Sequence, residues 1–191
     1  MDIRNEFIRI ATDNIHRGGL TALINWMGQT DFFTAPASTK YHGACESGLV
    51  LHSMNVYTEL TKLADWYGLG PDDGVENIKE SIAIVSLFHD ICKIGCYKTE
   101  MRWRKDANDK WEQYPVYTFK EDYPFGGHGS KSVYLLQNFI KLTPIEAAAI
   151  NCHMGAWDKG DYSNPAPVYD NNKLAWLLHV ADEADTYLRK E

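Results

Sequence analysis

The stretch Ile82 to Gly95, IAIVSLFHDICKIG, constrains this chain more than any other. An apolar run of helix length has to be buried, and this one delivers His89 and Asp90 side by side before glycine ends it. Adjacent residues on a helix point about 100° apart, so the two side chains converge on one ligand only from a helix end. An imidazole beside a carboxylate suits a divalent ion that takes one neutral and one charged donor. The same pair also fits a buried polar contact with no ion, and the rest of the chain has to decide between them.

At 191 residues the chain has the length of one domain with a full core. Its net charge of -7 argues against a nucleic-acid coat or a binder of anionic membranes. A phosphate substrate stays open, because bound cations reverse the local field. The four cysteines, Cys45, Cys92, Cys96 and Cys152, form neither a CxxC pair nor a secreted framework, and read as free thiols. The N-terminal MDIRNEFIRIATDN carries charge throughout and lacks a signal-peptide core. No run approaches the roughly 18 apolar residues of a membrane span. The expectation is a cytoplasmic protein with no membrane partner.

Ile3, Phe7, Ile10 and Ala11 predict an amphipathic helix over 2–15, ended by His16-Arg17-Gly18-Gly19, with His16 favoured by the helix dipole. LTALINWMG predicts a second helix stopping near Gly28, and residues 30–44 read as a loop containing His42. From Glu46 to Trp66 a buried stripe of Leu49, Val50, Val56, Leu60, Leu63 and Ala64 predicts a long helix with His52 inside it. A break at Gly68–Gly74 precedes a helix over Val75–Phe88.

After Gly95 the period changes. CYKTEMRWR and KWEQYPVYTF, separated by a polar turn, predict a β-hairpin, with Pro115 at an edge or bulge. Arg102, Arg104, Lys105 and Lys110 beside Trp103 and Trp111 resemble a nucleic-acid stacking surface, but Asp106, Asp109 and Glu112 dilute the charge and favour a solvated hairpin. EDYPFGGHGSKS leads through His128 into a helix over about 130–140. Thr143-Pro144-Ile145-Glu146 forms a capping-box start for a helix that presents His153 near its end. A loop, AWDKGDYSNPAPVYDNN, precedes a last helix over about Lys173–Arg189. Asp182 lies there among Leu174, Leu177, Leu178 and Ala181, where a carboxylate is exposed, paired or metal-bound.

His52, His89-Asp90, His128, His153 and Asp182 are hard to attribute to independent core accidents. Their order resembles the HD-domain metal-dependent phosphohydrolases, through GLVLHS, HDICKIG and LLHVADEAD. It is most similar in pattern to the HD domain of bacterial 3′-to-5′ exoribonucleases and phosphodiesterases, over roughly residues 40–190. His153-Met154 stands where those relatives often carry a His-His pair, and the glycine-rich run before the first ligand is only partly kept as Glu46-Ser47-Gly48.

The resemblance implies a mostly α, HD-domain-like helical bundle formed by one domain over 1–191, with N-terminal helices over 1–40 and a hairpin insertion over 97–122. It implies His52, His89, Asp90 and Asp182 as core ligands, with His128 and His153 added where two metals bind and Asp90 bridging them. The expected cofactors are one or two divalent transition metals: iron, manganese, cobalt, nickel or zinc. The expected activity is hydrolysis of a phosphomonoester or phosphodiester of a nucleotide or short oligonucleotide by a metal-bound hydroxide, with Asp90 and Lys93 as the catalytic residues. His42, Lys93 and Asp185 are the candidate substrate contacts, Lys93 reading equally as a surface lysine. Two other readings stay open: a non-catalytic metal-containing module that binds nucleotides, and a purely structural metal site.

Overall fold

In the computed structural model, described over residues 2–40, 42–120, 125–157 and 165–189, Asp2 caps helix α1 (Ile3–Asn14) by accepting from the Arg4 amide. Phe7 and Ala11, one turn apart, are the buried face of α1. Phe7 meets Phe32, Phe33 and Phe88 edge-on, with ring centres 5.3, 5.6 and 5.9 Å apart. Such pairs contribute about 0.5–1.5 kcal/mol each beyond burial. They fix the N-terminal segment, including α2 (Leu20–Met27), against the end of α4 (Ile78–Phe88), the helix that delivers His89.

A second tie is polar. The amides of His16 and Arg17 donate to Glu80 Oε1 at 2.7 and 2.8 Å, and the Arg17 guanidinium reaches Glu146 Oε2 at 2.6 Å. Ser81 Oγ donates to the same Glu146 at 2.7 Å. His16 therefore lies beyond the end of α1, with its backbone engaged by Glu80, and does not occupy the last turn as its sequence suggested.

Helix α3 (Gly48–Trp66) packs against both α4 and α8 (Lys173–Leu188), and α6 (Pro144–Cys152) packs against α8 and α5 (His128–Gln137). One apolar cluster, with Leu49, Val56, Leu60, Ile84, Leu87 and Leu178 fully buried, runs through these helices. The capping box forms as its residues dictate: the Thr143 amide donates to Glu146 Oε2 at 2.8 Å, and the Glu146 amide to Thr143 Oγ1 at 3.2 Å. Helix α4 begins at Ile78 rather than Val75, because the Asn77 side chain caps it.

Within the expected loop before α8, the chain forms a short helix, α7 (Ala166–Tyr169). Tertiary contacts hold it where periodicity gave no signal: Tyr169 stacks on His179 at 5.4 Å and donates through its hydroxyl to Cys152 O at 2.8 Å. The parts of the expected loops at 121–124 and 158–164 lie outside the described residues.

Strands β1 (Tyr97–Lys105) and β2 (Trp111–Phe119) pair antiparallel from Tyr97↔Phe119 to Lys105↔Trp111, with Pro115 opposite Met101. A two-stranded ribbon has two edges, so proline costs it no interior ladder bond. At the tip, Arg104 pairs with Glu112 at 2.6 Å and Lys105 with Asp109 at 2.7 Å, which engages two of the basic residues within the hairpin. The fold is thus mostly helical with one small hairpin. No helix among the described residues is long and apolar enough to cross a membrane.

Candidate metal centre

Helix α4 ends at Phe88, and His89 caps it. Asp90 leaves helical geometry at φ -103°, ψ 17°, and a 3-10 turn over Ile91–Lys93 follows. The helix end lets two adjacent side chains enter one centre, as their spacing requires. The Cys92 amide donates to Ser132 Oγ on α5 at 3.2 Å, which pins the turn in place.

Two imidazole nitrogens face both Asp90 Oδ2 and Asp182 Oδ1. His52 Nε2, from the interior of α3, lies 3.5 Å from Asp90 Oδ2 and 3.2 Å from Asp182 Oδ1. His89 Nε2 lies 3.5 and 3.8 Å from the same two oxygens, and 3.2 Å from His52 Nε2. Asp90 Oδ1 faces elsewhere, towards His153 Nε2 at 3.5 Å and Cys92 Sγ at 3.9 Å. Cys92 Sγ in turn lies 3.4 Å from His128 Nδ1. Three groups of donors close enough to hold an ion result: His52, His89 and Asp90; His89, His153 and Asp182; Asp90, Cys92 and His128. All six residues expected as ligands fall within these groups.

The helix packing that brings α5 and α6 together depends on Gly129. A Cβ there would lie 2.3 Å from Asn151 O and 2.6 Å from Asn151 Cα, so only glycine lets the start of α5 approach the end of α6. His128 and His153 reach the same centre through this contact.

The Nδ1 atoms of His52, His89 and His153 are anchored. His89 Nδ1 bonds Ser86 O at 2.8 Å, and His153 Nδ1 bonds Ile150 O at 2.7 Å. A carbonyl only accepts, so each Nδ1 carries its proton and Nε2 is the nitrogen turned inward. His52 Nδ1 is held by Asp185 Oδ2 at 2.7 Å. Carboxylates and carbonyls behind imidazoles orient metal ligands in this way and raise their basicity. His153 Nε2 is buried with no hydrogen-bond partner in the described structure. Such an orphan among carboxylates fits an absent cation, and so do donor separations of 3.2–3.8 Å around Asp90 Oδ2 and Asp182 Oδ1.

The buried charges act strongly on one another. Burial disfavours a charged His52, yet Asp182, Asp185 and Asp90 outweigh it and hold His52 well above its ordinary range. His89, lacking that many partners, is pushed down to about 4 by burial. Burial would raise Asp90, but Lys93 and then His89 hold it well below the carboxylate range.

Lys93 is buried with Nζ 2.6 Å from Asp90 Oδ2, not a surface lysine. The His42 ring lies tilted against His52, ring centres 4.8 Å apart, and both its ring nitrogens are buried without a hydrogen bond. Burial pushes its pKa down to about 4. His42, His52, Asn55, Asp185 and Arg189 line a small cleft beside the centre. Asp185, expected as a substrate contact, has one oxygen committed to His52; the other has no hydrogen bond and lies 3.6 Å from Arg189 Nε. Sequence reasoning missed Cys92, whose only signal was its position two residues after Asp90. No family model, curated protein or solved structure matches the chain.

Proposed function

We propose that this chain is a metal-dependent phosphohydrolase of the HD-domain kind. Its substrate is a phosphomonoester or phosphodiester of a nucleotide or short oligonucleotide. The observation that carries this reading is the set of inward Nε2 atoms of His52, His89 and His153, each backed through Nδ1 by an acceptor and each within 3.5 Å of an Asp90 oxygen. The ordered His and Asp resemblance supports the same conclusion independently of geometry.

His52, His89, Asp90 and Asp182 would hold one divalent ion, and Asp90 Oδ1 with His128 and His153 a second. Mixed imidazole and carboxylate donors suit iron, manganese, cobalt, nickel or zinc over calcium. When bound, such ions lower the pKa of water and neutralise charge on phosphoryl oxygens. Asp90 presents its two oxygens to different donor sets, which suits a bridging ligand. Lys93 holds a cation at the mouth of Asp90 and is freed to contact a phosphoryl oxygen once Asp90 is neutralised. Asp185 holds the His52 ring in register. His42 and Arg189, beside the centre, are positioned to receive the rest of the substrate.

The test is a screen of mononucleotides, cyclic nucleotides and short RNAs with protein loaded separately with each candidate metal. Release of phosphate or a shortened product by loaded protein alone is the expected result. Nucleotide binding with no product across the whole screen would overturn the enzyme in favour of a nucleotide-sensing module.

A further inference from the structure

Three residues contribute donors to the Asp90 Oδ1 side under the reading above, namely Asp90, His128 and His153, and Met154 supplies no hard donor. An ion held there would have room for a further protein donor beside its water. On the footing of that metal reading, we propose that Cys92 is that donor, a thiolate bound to the second ion through Sγ.

The distances support it. Bond lengths of about 2.3 Å for sulfur and about 2.0–2.1 Å for nitrogen or oxygen, at tetrahedral angles, place donors roughly 3.4–3.6 Å apart. The structure places Cys92 Sγ 3.4 Å from His128 Nδ1 and 3.9 Å from Asp90 Oδ1, while Asp90 Oδ1 lies 3.5 Å from His153 Nε2. The orphaned, fully buried His153 Nε2 points to an ion at this place independently of the thiol. The Cys92 backbone is pinned beside the centre, because its amide is tied to Ser132 and it sits in a 3-10 turn. Binding releases the thiol proton to solvent and changes no oxidation state. A thiolate biases this position towards zinc, cobalt or ferrous iron and away from magnesium.

Cobalt titration followed by optical spectroscopy tests the assignment. Cobalt d–d bands report any bound ion, whereas a near-ultraviolet sulfur-to-cobalt charge-transfer band reports a thiolate ligand. Wild type and the single variants Cys45→Ser, Cys96→Ser and Cys152→Ser should show both signals. Cys92→Ser should keep d–d bands and lose the whole charge-transfer band. Bound cobalt without that band in wild type overturns the thiolate ligand but leaves the metal centre standing, whereas no d–d bands in any protein overturns both. Should Cys92→Ser fail to fold, X-ray absorption of zinc-loaded wild type decides: a sulfur shell at about 2.3 Å supports the assignment, and nitrogen or oxygen shells alone contradict it.

Discussion

Lys93 Nζ lies 2.6 Å from Asp90 Oδ2, the oxygen that also faces His52 Nε2 and His89 Nε2 at 3.5 Å each. The ammonium is a positive charge that would compete with a bound cation for this oxygen. Lys93→Ala should therefore bind metal at least as well as wild type, since a competing positive charge is gone. Turnover should fall about 10²-fold, the scale of losing one group that stabilises developing charge. Metal content and steady-state rates on the same preparation check both halves. Full activity in this variant would remove Lys93 from the phosphate-binding role.

His128 and His153 belong to the Asp90 Oδ1 side, and neither is needed for the His52, His89 and Asp182 set around Oδ2. Each single alanine variant should lose one ion and retain the other, with turnover down by at least about 10²-fold. Metal analysis after desalting reads the stoichiometry. Unchanged metal and activity in both would leave a one-metal enzyme.

Much of the centre was legible because burial and polarity conflict there. His52 and Asp182 stand inside apolar stripes, where an ordinary core has no use for them, and His89-Asp90 ends an apolar run. Cys92 was not legible, because a cysteine between Ile91 and Lys93 reads as one more small apolar residue. The hold of Asp185 on His52 was not legible either, since its i,i+3 relation to Asp182 gives a shared face but not the depth at which it meets that ring. The Arg17, Glu80 and Glu146 tie joins residues 129 positions apart, beyond the reach of local pattern.

That tie has a pH signature. Burial would raise the Glu146 carboxyl, but Arg17, the Thr143 amide and Ser81 hold it below its ordinary value. A carboxyl depressed in the folded state adds stability above its unfolded pKa and loses it as pH falls through the folded one. Glu146→Gln should cost about 1–3 kcal/mol at neutral pH, the range for weakening a buried acceptor. Denaturant midpoints from pH 7 down into the acid range should show the gap to wild type narrowing. A gap that stays constant with pH would contradict the charged tie.

The most direct measurement is the metal content of wild type and Asp90→Ala after identical reconstitution with a transition metal and desalting, with folding checked by circular dichroism. Asp90 turns Oδ2 to His52 and His89 and Oδ1 to His153, so its loss strips an oxygen from each donor set. Wild type is expected to retain one or two ions per chain and the folded variant essentially none. Wild type without metal, or a variant holding as much as wild type, would contradict a metal centre organised on Asp90.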